Sequence, residues 1–270
     1  MAGSMIYRLP VADATAPHMI AFRSAMAKAE AISDNRGYNF IAGFHGAPFW
    51  YCWHHQINRR TRIRAQLFLP WHRAYLWYLE QALRDQEEAG AQVPAALPYW
   101  DWTTQSRIPP AYAATKVGTE ANPLYATKAV VPNAQPPINR RTTRSPGRTP
   151  GSRLPTAAEI ADVLTDTDWM SFADRLEGFH DDVHVWVGGS MQDVTTAAYD
   201  PIFFAHHCMI DRIWYLWQVK HGSGGIPGEL LDLELPPFGK RTRDVLDVQG
   251  LGYEYAASAA NVPVPTGGAQ

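Results

Sequence analysis

The chain holds 270 residues, with 24 Lys+Arg against 26 Asp+Glu for a formal net charge of −2, and 46% of its residues are hydrophobic. That is ample apolar material for one ordinary core, and the near-neutral balance argues against a nucleic-acid groove or an anionic-membrane partner, both of which need a cationic field. Ten Trp, 12 Tyr, 10 Phe and 10 His stand beside two cysteines, Cys52 and Cys208; this excludes a disulfide framework and a thiolate-rich metal site and leaves imidazole as the abundant metal ligand.

No run reaches the ~18 apolar residues of a membrane span. Residues Met1 to Pro10 lack the basic start and apolar centre of a secretion signal, so the sequence reads as cytoplasmic, with export on a partner protein left open. The first predicted element is a helix from Thr15 to Ile32, with Thr15 as N-cap, Pro17 in the first turn, and Ile20, Phe22, Met26 and Ala29 at helical spacings. A second helix is predicted from Trp71 to Glu88, where Leu76, Leu79 and Leu83 recur at three and four residues. Between Ile108 and Pro155 the chain turns rich in Pro and Arg, which reads as long, solvated surface loops carrying Arg140, Arg141, Arg144, Arg148 and Arg153. Thr156 and Glu159 stand in capping-box register at the start of the next helix. Further helices are predicted from Phe172 to Trp186, stopping at Gly188-Gly189, and from Pro201 to Lys220, stopping at Gly222.

Chemistry concentrates on these helices. His180 and His184, at i and i+4, share a helical face and can reach one metal ion, and the next helix brings His206-His207. The first half offers a comparable set in His45, His54, His55 and His72. Histidines divided between two halves point to a pair of metals in a helical interior, and imidazole ligation suits copper, zinc, iron or nickel.

Four motifs narrow this choice: Phe68-Leu69-Pro70-Trp71-His72-Arg73, Pro98-Tyr99-Trp100-Asp101-Trp102, His180-x-x-x-His184-x-Trp186-Val187-Gly188-Gly189, and Asp200-Pro201-x-Phe203 through His206-His207 to Asp211-Arg212. Together they resemble the type-3 copper family of tyrosinases, catechol oxidases and molluscan haemocyanins, over roughly residues 40–218 and in the family's order. Leu251-Gly252-Tyr253-Glu254-Tyr255 is similar to the Tyr-x-Tyr segment that ends the family's core.

The resemblance implies a mainly α fold in which an antiparallel four-helix bundle holds a dinuclear copper site, with long loops and few short strands. It implies one catalytic domain over 1–270: a first-copper half at about 15–105, loops at about 106–155, a second-copper half at about 156–221, and a tail. With only 15 residues after Tyr255, a C-terminal lid domain is not expected. Carried over by position, His180, His184 and His207 are expected on the second copper, with His206 as their neighbour, and His45 and His72 on the first. The family's usual middle ligand falls on Ile63, which cannot bind copper, so His54 is expected there through the Cys52-x-His54 pair, with His55 as the alternative. Cys52 and His54 match a pair joined in some members by a thioether. Glu177 and Asp181 are the candidate bases for a phenol proton, and Val194, thirteen residues before His207, is the expected substrate gate. The implied activity is oxidation of phenols, catechols or o-aminophenols with O2 as co-substrate; the alternative is haemocyanin-like O2 binding without turnover. The implied partners are a small phenolic substrate and a copper-delivery protein. Cys208 reads as a small core residue, Asp211-Arg212 as a structural ion pair or hydrogen-bond anchor for its helix, and His18 and His221 as ordinary helix histidines.

Overall fold

The computed structural model describes residues 5–52, 67–88, 90–223 and 225–262. Strand β1 (Ile6–Arg8) leads to helix α1 (Pro17–Ala31), a short helix α2 (Tyr38–Ala42) and the long helix α3 (Phe68–Arg84). A hairpin of β2 (Lys128–Val131) and β3 (Ile138–Arg141) precedes α4 (Ala157–Val163), α5 (Trp169–Val187) and α6 (Ile202–His221); β4 (Tyr253–Tyr255) follows. Helix α3 packs on α1, α5 and α6, and α5 packs on α6, so the mainly helical fold expected from the motifs is present, with strands confined to two-stranded pieces. Among the described residues no helix is long and apolar enough to cross a membrane.

The helix ends follow local chemistry, with informative departures. Thr15 does not cap α1; it turns onto Asp13, whose Oδ1 accepts from the Thr15 amide at 3.0 Å and from its hydroxyl at 2.8 Å, and Ala16 takes the N-cap position without a side-chain bond. Helix α3 starts three residues before the expected Trp71. Pro70 lies in the first turn, where an amide has no helical acceptor, so its missing N–H costs nothing, and the first helical bond runs from Trp71 N to Leu67 O at 2.9 Å. The capping box forms as the sequence predicts: Glu159 N donates to Thr156 Oγ1 at 3.3 Å and Thr156 N to Glu159 Oε2 at 2.8 Å. Asp168 caps α5 by accepting from Ser171 N at 2.8 Å, and Gly188 (φ 66°) and Gly222 (φ 75°) end α5 and α6.

The Pro- and Arg-rich stretch is more ordered than its composition indicates. It contains the β2–β3 hairpin, whose Ala129 and Val131 point into the core. Arg144 is not a solvated loop residue either: its guanidinium meets the buried Asp200 carboxylate at 2.5–3.0 Å and also donates to the carbonyls of Tyr112 and Leu124. This fan of donors uses the planar fork of arginine to tie the loop to the start of α6.

The two ends of the described chain meet where β1 pairs with β4 in parallel, Ile6 opposite Tyr253. Beneath them lies a buried charge cluster. Arg8 binds Glu80 through two bonds of 3.0 and 3.1 Å and reaches Asp211 at 3.2 Å; Arg73 reaches Asp211 at 2.5 Å, and the hydroxyls of Tyr253 and Tyr255 donate to the same carboxylate at 2.7 and 2.6 Å. Asp211 thus serves as the expected hydrogen-bond anchor of its helix, but not by pairing with Arg212: adjacent helical residues face apart, and Arg212 lies 4.8 Å over the Tyr99 ring.

Candidate metal centre

Helices α5 and α6 bring three imidazoles to one point. His180 and His184, one turn apart on α5, direct their Nε2 atoms at His207 Nε2 on α6, at 3.2 and 3.3 Å. A second group, His45, Cys52 and His72, stands beside it with its ligand atoms within 4.8 Å of one another. The two groups adjoin: the His72 and His207 rings stack at 4.3 Å, and His45 lies 5.6 Å from His72 and 6.3 Å from His207, centroid to centroid. Every one of these side chains is buried. Phe203 covers His207 at 4.0 Å and Phe68 lies against His72 and His180 at 4.8 and 4.7 Å, so the imidazoles face each other inside an aromatic shell.

Hydrogen bonds at the far side of three of the rings fix their tautomers. His184 Nδ1–H donates to Met191 O at 2.6 Å, His72 Nδ1–H to Phe68 O at 2.8 Å, and His180 Nδ1–H to Asp181 Oδ1 at 3.0 Å. Each leaves an Nε2 lone pair pointing inward. One Nε2–H on His207 could satisfy only one of the two lone pairs that face it, whereas a cation satisfies all three at once. Burial holds His184 neutral, its pKa lowered to about 4 against the pull of the Met191 carbonyl, and pushes His207 well below the usual imidazole range, with the neighbouring His72 and His180 adding to the shift. Neutral, inward-facing imidazoles are what a metal ion requires, and the donor set fits the copper pair expected from the motifs.

The adjacent His206 is held the opposite way. The Trp102 indole N–H donates to His206 Nδ1 at 3.2 Å, which places the ring proton on Nε2, and the ring stacks on His180 at 5.2 Å with 15° between planes. His206 stands within 4.8 Å of the same group, where it stacks on His180, while His207 Nε2 is the atom that His180 and His184 both face.

Short loops complete the frame. The Met191 carbonyl returns to His184 because Gly188 and Gly189 turn the chain at φ 66° and 57° directly against the Thr143–Ser145 segment; a Cβ on Gly189 would lie 2.2 Å from Thr143 O. Gly46, next to His45, is pressed against the expected gate, where a Cβ would lie 2.4 Å from Val194 O. Val194 therefore sits where the two halves of the site meet.

The remaining predicted residues divide clearly. Cys52 Sγ lies 3.7 Å from His72 Nε2, inside the first group. His54, its alternative His55, and Ile63 fall outside the described residues, and with them the proposed thioether. Asp181, two-thirds exposed, is drawn onto His180. Glu177, one turn earlier on α5, is half-buried, and burial with the charges of Asp181 and Asp174 pushes its pKa up to about 8. Cys208 is a buried core thiol, and His18 and His221 bond the carbonyls of Pro10 and Leu164. The sequence reading did not single out the Met191 carbonyl or the Trp102 indole; the Gly-Gly pair and the Trp-Asp-Trp motif were their only local signals.

Residues 35–220 match the family model for the common central domain of tyrosinase. A tyrosinase of Streptomyces glaucescens is 37% identical over 196 residues, covering 63% of this chain and 69% of that protein. The G-type haemocyanin, units Oda to Odg, of Enteroctopus dofleini is 31% identical over 247 residues, covering 86% of this chain but only 8% of that long protein. A functional unit of octopus haemocyanin superposes with a TM-score of 0.73 at 28% identity, covering 95% of this chain and 71% of that one. A Burkholderia thailandensis tyrosinase shares the fold, with a TM-score of 0.76 at 21% identity over 97% of this chain and 76% of that one.

Proposed function

The chain belongs to the tyrosinase family of type-3 copper proteins, and from that premise we propose that it is an oxidase using O2 to convert catechols, phenols or o-aminophenols to o-quinones or quinone imines. The observation that carries this reading is the convergence of His180, His184 and His207 Nε2 beside the His45–His72 group. In this reading His180, His184 and His207 hold one copper, and His45, His72 and His54 the other. A bound copper pair would supply O2 activation and two-electron chemistry.

The protein supplies the rest. The carbonyls of Met191 and Phe68 and the Asp181 carboxylate hold three ligand rings in the metal-binding tautomer. Phe68 and Phe203 keep bulk water from the rings. A phenol with a pKa of about 10 is protonated at neutral pH, so hydroxylation gains from a base. Asp181 is engaged by His180, and Glu177, its pKa pushed up to about 8, is largely protonated at neutral pH; in its ionised form Glu177 is the residue proposed to take the phenol proton, so hydroxylation is expected to rise with pH toward that value. Val194 carries a small side chain at the seam between the halves, which favours access by a substrate ring.

The haemocyanin relatives support a second reading, reversible O2 binding without turnover. Copper-loaded protein given catechol, a tyrosine-like monophenol and an o-aminophenol under O2 separates them. The oxidase reading expects quinone absorbance at least from catechol. Reversible O2 binding with no catechol consumption would transfer the protein to the carrier class.

A further inference from the structure

A groove of about 710 Å3 runs along the seam where the His45 loop meets the Val194 loop. Its lining includes Ala47, Pro48 and Trp50, Pro136 and Pro137 of the β2–β3 loop with the polar Asn133 and Asn139, and Arg140, Asp193 and Thr195. The groove borders the metal centre through the His45 loop: Ala47 is two residues beyond His45, and Gly46 packs against the Val194 and Thr195 backbone.

Trp50 is the unusual feature. Its indole is 40% exposed, and among the described residues it is the one non-glycine in the left-handed region, at φ 53°. Bonds from Trp50 N to Gly46 O (2.8 Å) and Tyr51 N to Phe44 O (2.9 Å) lock that turn. A bulky side chain in this conformation is costly, and the turn's bonds hold a large apolar ring at the groove instead of in the core. The lining pairs this indole with the rings of Pro48, Pro136 and Pro137 and also carries the amides of Asn133 and Asn139 and an exposed Arg140–Asp193 pair at 3.3 Å. An exposed indole beside proline rings receives planar rings, and the polar lining suits ring hydroxyls. The groove is also larger than one substrate ring needs.

We propose that this groove is a specificity subsite for the second aromatic ring of a two-ring phenol or catechol whose first ring enters the metal centre, with Trp50 as the stacking platform. The proposal rests on the oxidase reading and names the substrate class that reading leaves open.

The test has a binding arm and a turnover arm. In titration calorimetry on copper-free protein, 4-hydroxybiphenyl should bind at least tenfold more tightly than phenol; Trp50→Ala should abolish the difference and Trp50→Tyr, which keeps a flat ring, should restore much of it. Circular dichroism establishes that both variants are folded, and Arg140→Ala supplies an independent change elsewhere in the lining, expected to weaken 4-hydroxybiphenyl severalfold. In the turnover arm, the kcat/KM ratio of a biphenyl catechol to catechol should fall about tenfold in Trp50→Ala. Equal binding of phenol and 4-hydroxybiphenyl to the native chain, or an unchanged preference in Trp50→Ala, would overturn the subsite. Selective 4-hydroxybiphenyl binding in a copper-loaded protein that oxidises no catechol would instead overturn the oxidase reading and leave the groove standing as a ring-binding site.

Discussion

At the scale of single residues, the site depends on rings whose protons are assigned by their surroundings. His184 is held neutral by burial and aimed by Met191 O. Replacing His184 with Ala should reduce bound copper from two toward one per folded chain by metal analysis; two retained coppers would contradict its assignment as a ligand. A different residue controls a pH effect away from the metal. Glu30, partly buried on α1, has its pKa raised to about 8 by burial despite the charge of Arg141. The folded state therefore keeps a proton that the unfolded chain releases near its ordinary value of about 4.5. Between those values the native state binds more protons, so this group's contribution to stability falls as pH rises through the window. Glu30→Gln should raise the melting temperature at pH 9 and leave it nearly unchanged at pH 4; equal effects at both would refute the assignment.

At the scale of elements, two substitutions separate stability from site geometry. Thr156→Ala removes the α4 capping box, far in sequence from any proposed ligand, and should cost about 1 kcal/mol in denaturant unfolding without changing copper affinity. Gly189→Ala forces a Cβ to within 2.2 Å of Thr143 O at φ 57°; the shift displaces the Met191 carbonyl and should lower both stability and copper affinity, which competition with a chelator measures. The elements also mark what the sequence could disclose. Helices α3, α5 and α6 were legible because heptad-like spacing, caps and terminating glycines act within a few residues. The β2–β3 hairpin was hidden because its Pro- and Arg-rich surroundings mask two buried positions, Ala129 and Val131. The role of Arg144 was hidden for a related reason: its partner Asp200 is 56 residues away, and a composition reading sees only a cation in a loop. The histidines that converge here were legible in motifs, whereas the bonds that orient their rings, to Met191 and from Trp102, depend on close packing of separate segments.

At the scale of the whole molecule, Asp211 joins both ends of the described chain to the metal-bearing helices. It accepts from Arg8 on β1, Arg73 on α3, and Tyr253 and Tyr255 on β4. The two guanidiniums hold its carboxyl below the usual carboxylate range although burial alone would raise it. Asp211→Ala leaves Arg8 and Arg73 without that buried counter-charge, so unfolding in urea should show a loss of about 3–5 kcal/mol; a loss under 1 kcal/mol would show that the cluster is not a structural anchor. The same cluster fixes α3 against α6, and thus His72 against His207, so the scaffold and the site share one support. The central claim is that this support holds a working dicopper oxidase. Oxygen uptake by protein loaded with two coppers per chain, in the presence of catechol, tests it most directly. The account predicts sustained uptake of one O2 for every two catechols converted to o-quinone, with both oxygen atoms leaving as water; O2 bound once per site and released unchanged, with catechol intact, would contradict it.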